Sequence, residues 1–307
     1  MRNAVIDEIT SLAQSNDKIT VITADLGYSV LEEFAEKYPE RFFNVGIAEQ
    51  AMTSMAAGMA LSGEIVITYS IGNFATLRCI EQIRNDVCYH NANVKIIAVG
   101  GGVAYGQLGM SHHATEDIAM MRALPDMTVL VPADPQEALA VARFAIEHDG
   151  PCYIRLARRG EPVLYVKEEN FDITKLQTIL PGKQVAVFCC GPIASEVKSA
   201  CEALKNQGID AGAYSVPCVS PLDEESVRKI AAEADCVFTV EEHQVRGGLG
   251  GAVAEAICDI PGAVLKCLGI PNEFPHIVGS HDYLCDYYGL SAKKLEKTIL
   301  DMLEIVR

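Results

Sequence analysis

The sequence predicts an α/β protein with two parallel-sheet domains. Two observations carry that expectation. Short β-branched or apolar runs alternate with helix-length segments along the chain, the signature of strand–helix–strand crossovers. The alternation breaks once, over 161–182, where charges, a Pro and a Pro-Gly interrupt it, and then resumes. A 307-residue chain has the length for two cores. The expected division is a first domain at 1–160, a linker at 161–182 and a second domain at 183–307.

In the first domain, Val5, Ile9, Leu12 and Ala13 space a helix over 2–14. ITVITAD (19–25) is a strand ending in an acid, and 31–37 a helix stopped before Pro39. Residues 42–46 read as a short strand, 47–61 as a helix closed by Ser62-Gly63, and EIVITYS (64–70) as the next strand. A helix over 74–91 leads to VKIIAVGGG (94–102), a strand running into glycines. Residues 116–123 read as a helix, MTVLVPAD (127–134) as a strand, 135–148 as a helix and 152–156 as the last strand. In the second domain, strands are expected at 184–191, 210–218, 235–242 and 263–270, with helices at 193–207, 223–233, 247–259 and 291–305. Ligands of such sheets bind at the carboxyl ends of the strands.

Composition excludes some classes. The net charge is −16 with no basic patch, which argues against nucleic acid as a partner. No apolar run is long enough for a membrane span, and MRNAVIDEIT has no signal-peptide core. Eleven cysteines without a C-x-x-C pair suit buried thiols in the reducing cytoplasm.

Three stretches are candidates for chemistry. From Asn44 to Gly63 the only charged residue is Glu49. A carboxylate in a helix's first turn gains from the macrodipole, which is a sufficient structural reason for an acid there. It does not explain why the rest of that helix lacks charge; a helix apolar all round is expected to be buried. A carboxylate at such a helix end needs a partner or a raised pKa, and proton-transfer sites use that arrangement. GMSHHATED (109–117) groups His112, His113, Glu116 and Asp117 without a zinc-type spacing, so a ligand-facing loop is favoured over a metal. GGLGG (247–251) reads as a tight turn into a closely packed helix rather than a phosphate cradle, and EEH (241–243) as a solvated strand end.

The segments FFNVGIAEQAMTSMAAGMALSG, SHHATEDIAMMRALPDMTVLVPADPQEA, CGPIASEVKSACEALKNQGIDAGAYSVPCVSPLD and TVEEHQVRGGLGGAVAE together resemble the central and C-terminal domains of transketolases and 1-deoxyxylulose-5-phosphate synthases, in family order. The resemblance implies a thiamine pyrimidine-binding domain followed by a transketolase C-terminal-like domain. The cofactors implied are thiamine diphosphate and Mg²⁺. The family's diphosphate domain, with its GDG motif, has no counterpart here. The resemblance therefore implies the C-terminal subunit of a split transketolase. An N-terminal subunit would bind the diphosphate and supply the Mg²⁺ ligands, so no metal residue is assigned in this chain. Self-association of this subunit would give an α2β2 assembly.

Position by position, Glu49 resembles the glutamate that bonds the pyrimidine N1′ of the cofactor. Phe74 resembles an aromatic that stacks on that ring, and two more aromatic positions are Ile71 and Leu77 here. Asp25, in ADLGYS, resembles the A-D-L segment beside the cofactor. His112 resembles the histidine that contacts the transferred ketol. Arg2, Ser29 and Arg158 resemble the grip on the acceptor phosphate, a charge-assisted contact. Leu108 stands where the family has an Asp for a donor hydroxyl, and Gly100 where it has a phosphate-contacting His. The implied activity is transfer of a two-carbon ketol unit between sugar phosphates, with a branched or modified pentulose phosphate among the possible donors. The alternatives are the beta subunit of a 2-oxo-acid dehydrogenase and a non-catalytic assembly subunit.

Overall fold

The computed structural model describes residues 1–158, 160–165 and 171–306. Twelve strands form two sheets. The first six are β1 (Ile19–Thr23), β2 (Phe42–Asn44), β3 (Ile65–Ile71), β4 (Val94–Val99), β5 (Thr128–Leu130) and β6 (Cys152–Leu156). The others are β7 (Gln177–Leu180), β8 (Val185–Cys190), β9 (Ala211–Ser215), β10 (Cys218–Ser220), β11 (Cys236–Gln244) and β12 (Leu265–Ile270). The first sheet runs β10-β5-β6-β4-β3-β1-β2 and the second β12-β11-β8-β9-β7. All pairings are parallel except at two edges, β10 on β5 and β7 on β9. β1, β4, β6, β8 and β9 are buried along their whole length. Helices cover both faces of such sheets, so their strands read as continuous apolar runs.

Local chemistry explains where the helices start. Asp134 accepts hydrogen bonds from the backbone N–H of Gln136 and Glu137, and Pro135 fills the first position of the helix Pro135–Glu147. Asp223 caps Glu224–Glu233 in the same way. Leu249–Ile257 has no local cap; the buried Glu241 carboxylate receives the N–H groups of Leu249 (2.7 Å) and Gly250 (2.8 Å). That carboxylate already occupies the helix end, as the tight-turn reading of GGLGG requires. A side chain at Gly248 would meet Glu241 Oε2 at 2.1 Å.

Several expectations are corrected. EEH is buried, not solvated: Glu241 caps a helix, Glu242 pairs with His281, and His243 Nε2 accepts from the N–H of Ala119 in the first domain. The continuous helix over 74–91 is four short turns: Gly72–Ala75, Leu77–Cys79, Ile80–Gln82 and a π-helical Ile83–Cys88. The Thr76 hydroxyl donates back to the Gly72 carbonyl at 2.7 Å, a bond that competes with regular helix geometry. The helix Glu49–Leu61 is buried on one face only; Met55 and Leu61 are exposed. The run 210–218 serves both sheets: β9 stays in the second, while β10, beyond Pro217, joins the first. Within 161–182, Gln177–Leu180 is an edge strand, and 166–170 lie outside the described residues. The helix His281–Tyr287 was not anticipated, although Ser280 caps it by accepting from the Tyr283 N–H. Among the described residues, no helix is long and apolar enough to cross a membrane.

Candidate active site

In the first sheet β6, β4, β3 and β1 are neighbours, so their carboxyl ends form one edge. The loop after β1 carries Asp25 and Ser29, and β3 runs through Ile71 into Phe74, Leu77 and Arg78. The loop after β4 carries Gly100, Tyr105, Leu108 and His112, and Arg158 follows β6. Glu49 opens the helix after the edge strand β2.

Glu49 is 1% exposed. Its Oε2 accepts from Arg78 Nη1 at 2.6 Å and its Oε1 from the Ser70 hydroxyl at 3.5 Å. The partner that a buried carboxylate needs is therefore Arg78, itself half-exposed. The Arg78 guanidinium also lies 4.4 Å from the centroid of Phe74. Phe74 meets the His112 ring edge-on at 5.2 Å, and His112 Nδ1 sits 3.0 Å from the Ser111 hydroxyl. The Tyr105 ring is 6.4 Å from His112, and the Arg158 guanidinium lies 5.3 Å from the Tyr105 centroid. Tyr69 lies near the end of β3, where burial holds its hydroxyl well above the usual phenol range, with the Arg2 charge acting the other way. A continuous line thus runs from Glu49 through Arg78, Phe74, His112 and Tyr105 to Arg158.

Asp25 lies outside that line. Its backbone is left-handed, with φ 57°. Its N–H donates to Asn44 Oδ1 at 3.0 Å, and its Oδ1 accepts from Asn44 Nδ2 (3.1 Å) and the Tyr28 hydroxyl (3.2 Å). Asn44 Oδ1 also accepts from the Gly46 N–H. The pair locks the loop that leads into Glu49. Ser29 is exposed, and its N–H donates to Glu32. Ile71 is half-buried, and Leu77 and Leu108 are exposed. Gly100, with φ +83°, lies under Tyr105: a Cβ there would come within 2.0 Å of the ring.

The histidine loop does not assemble as a metal cluster. Asp117 is taken by Arg155 Nε (2.7 Å) and the Tyr153 hydroxyl, and both ring nitrogens of the buried His113 lack a partner. Burial pushes the His113 pKa down.

Sequence reasoning missed Arg78, Tyr105, Tyr69 and Ser70. Arg78 had a readable signal, because residues 65–77 carry no charge and Arg78 ends that run. Tyr105 had none, since its place over Gly100 depends on how the loop folds.

The family model "Transketolase, pyrimidine binding domain" matches residues 1–161, and "Transketolase, C-terminal domain" matches 174–295. The chain belongs to the transketolase family. It is 40% identical over 306 residues to a "Putative transketolase C-terminal section" of Methanocaldococcus jannaschii, covering 98% of this chain and 95% of that one. It is 34% identical over 305 residues to one of the subunits of the apulose-4-phosphate transketolase of Phocaeicola vulgatus, covering 99% and 97%. A solved structure described as "Split gene transketolase, inactive beta4 tetramer" superposes with a TM-score of 0.89 at 36% identity, covering 100% of this chain and 98% of that one. This transketolase chain thus has the domain content of the C-terminal subunit of a split enzyme, as its motifs implied.

Proposed function

We infer that this chain supplies the pyrimidine-binding half of a two-chain transketolase that moves a two-carbon ketol unit from a ketose phosphate to an aldose phosphate. The observation that carries this reading is the line of side chains from the buried Glu49 carboxylate to Arg158. Along that line stand a carboxylate, an aromatic face, a histidine and the guanidinium groups of Arg78 and Arg158.

The residues present fit thiamine diphosphate. Glu49 offers a desolvated carboxylate to a ring nitrogen, and Phe74 offers a stacking face beside it. Arg78 covers both in this structure and would yield them as the ring enters. When bound, the cofactor supplies a carbon nucleophile that protein side chains lack. Glu49 holds the proton at the pyrimidine nitrogen. Asp25 and Asn44 fix the loop that aims Glu49. His112 bonds the substrate oxygen nearest the transferred unit. Arg158, which lies over the Tyr105 ring, and Arg2 bind the phosphate by charge-assisted contacts. Ile71 and Leu77 add apolar contact to the ring, and Ser29 adds a hydroxyl at the phosphate end.

The second chain would bring the diphosphate site and the Mg²⁺ ligands. The exposed, uncharged outer face of Glu49–Leu61 suits contact with another chain. Met55 and Leu61 lie on it, and Ile47, 81% exposed, precedes it. Pairing of two such subunits would complete an α2β2 assembly. Eleven free cysteines, nine of them buried, fit the cytoplasm. Leu108 changes the hydroxyl recognition expected for xylulose 5-phosphate, and Gly100 under Tyr105 changes a phosphate contact, which together favour a branched or modified ketose phosphate as donor.

The test is co-expression with an N-terminal transketolase subunit, followed by a donor and acceptor screen with thiamine diphosphate and Mg²⁺. Ketol transfer, fastest with a branched or modified donor, is expected. A stable complex inactive towards every phosphorylated donor would overturn the reading.

A further inference from the structure

A cleft of about 770 Å³ lies between the two domains. Glu242, His281 and Cys285 all line it, and Arg158 and Tyr105 line it too. One ligand-type atom from each of the three lies within 4.8 Å of the others, the only such group of His, Cys, Asp and Glu among the described residues. We propose that Glu242, His281 and Cys285 form a binding site for a divalent transition metal of the zinc class, with its fourth coordination position open to the cleft.

Backbone geometry brings the three together. His281 and Cys285 are four residues apart on the helix His281–Tyr287, so their side chains leave from one face. Glu242 comes from β11 and is 3% exposed. Its carbonyl is gripped by Arg155 at 2.8 Å, and Gly102 leaves room for its side chain, since a Cβ there would meet Glu242 Cβ at 2.7 Å. His281 Nε2 faces Glu242 Oε2 at 2.8 Å and Cys285 Sγ at 3.5 Å. Zinc bonds of about 2.0 Å to nitrogen or oxygen and 2.3 Å to sulfur require ligand separations of about 3.3–3.6 Å. The sulfur–nitrogen distance is already in range, and the oxygen–nitrogen distance must open by about half an ångström to reach it. A nitrogen, a thiolate and a carboxylate with one open position are a donor set that zinc accepts.

A Glu242–His281 ion pair alone would account for the buried carboxylate. It would not account for the thiol placed on the same ring nitrogen, nor for Glu242 Oε1, which is buried with no hydrogen-bond partner. Binding releases the thiol proton and the imidazole Nε2 proton to solvent. It would fasten the helix His281–Tyr287 to the end of β11.

The test uses the full chain, stripped with a chelator and titrated with cobalt(II) chloride and then zinc chloride. One equivalent of cobalt per chain is expected, with a thiolate charge-transfer absorption that zinc abolishes. Cys285→Ser should lose that absorption, and Cys258→Ser, at an exposed cysteine, should keep it. Circular dichroism verifies that both variants are folded, and His281→Gln, also expected to lose the absorption, replaces Cys285→Ser if that variant does not fold. Absence of the absorption in the unmodified chain, or its survival in either ligand variant, would overturn the assignment.

Discussion

Glu49 was conspicuous as the only charge between Asn44 and Gly63, yet what it needs could not be read nearby. Its partner Arg78 is 29 residues away, across a strand and a broken helix. A lone anion and a lone cation, each in an uncharged run, were both visible; only the fold pairs them. Glu49→Gln keeps the shape and removes the exchangeable carboxyl. In the reconstituted complex kcat should fall by at least about 100-fold, the scale of a lost proton-transfer group, with little change in Tm. Turnover near normal would remove Glu49 from the chemistry. At the other end of the line, Arg158→Ala should raise KM for a phosphorylated acceptor by about 10-fold or more, as loss of a charge-assisted hydrogen bond does, while kcat changes less. An unchanged KM in steady-state assays would contradict the phosphate assignment. Tyr105 was illegible because nothing in GGGVAYGQLG says that residue 105 folds back over residue 100.

Strands and capped helices were the legible elements, because buried parallel strands are apolar throughout and Asp134-Pro135 is a local signal. The illegible ones depend on distant groups. Thr76 breaks the segment after β3, and Glu241, eight residues before Leu249, replaces a local cap. EEH was misread for the same reason: three polar residues in a row look solvated until their partners on other elements are known. Glu241→Gln leaves one of the two donors, the N–H groups of Leu249 and Gly250, with a neutral acceptor and the other facing an amide NH2. It should cost about 1–3 kcal/mol in urea unfolding, the range for losing a charged hydrogen-bond partner. The helix Pro135–Glu147 contains a second buried acid, Glu137, whose Oε2 accepts from the Ala133 N–H and Oε1 from the Tyr165 hydroxyl. Burial raises its pKa from 4.5 to about 7. A folded value above the unfolded one means that the folded state holds the extra proton. This stabilising contribution is therefore full below about pH 4.5 and lost as pH rises through about 7. Melting curves from pH 5 to 8 should show a downward trend that is smaller in Glu137→Gln. Equal slopes for the two proteins would contradict it.

For the whole molecule, two parallel sheets were readable from alternation alone, but their coupling was not. β10 leaves the second domain's sequence to finish the first domain's sheet, and Arg155 on β6 grips the Glu242 carbonyl at the end of β11. The helix Glu49–Leu61, uncharged after Glu49, was expected to be buried. Its outer face is instead exposed at Met55 and Leu61, the face that the proposed function gives to a second chain. On the proposed function, this chain contributes the pyrimidine half of a thiamine diphosphate site and a second chain contributes the diphosphate half. Calorimetric titration of thiamine diphosphate with Mg²⁺ tests it most directly, into this chain alone and into its complex with an N-terminal transketolase subunit. Saturable binding to the complex, weakened by Glu49→Gln, is expected, with little or none to the chain alone; tight binding by the isolated chain, or binding by the complex that ignores Glu49, would contradict the pyrimidine-half assignment.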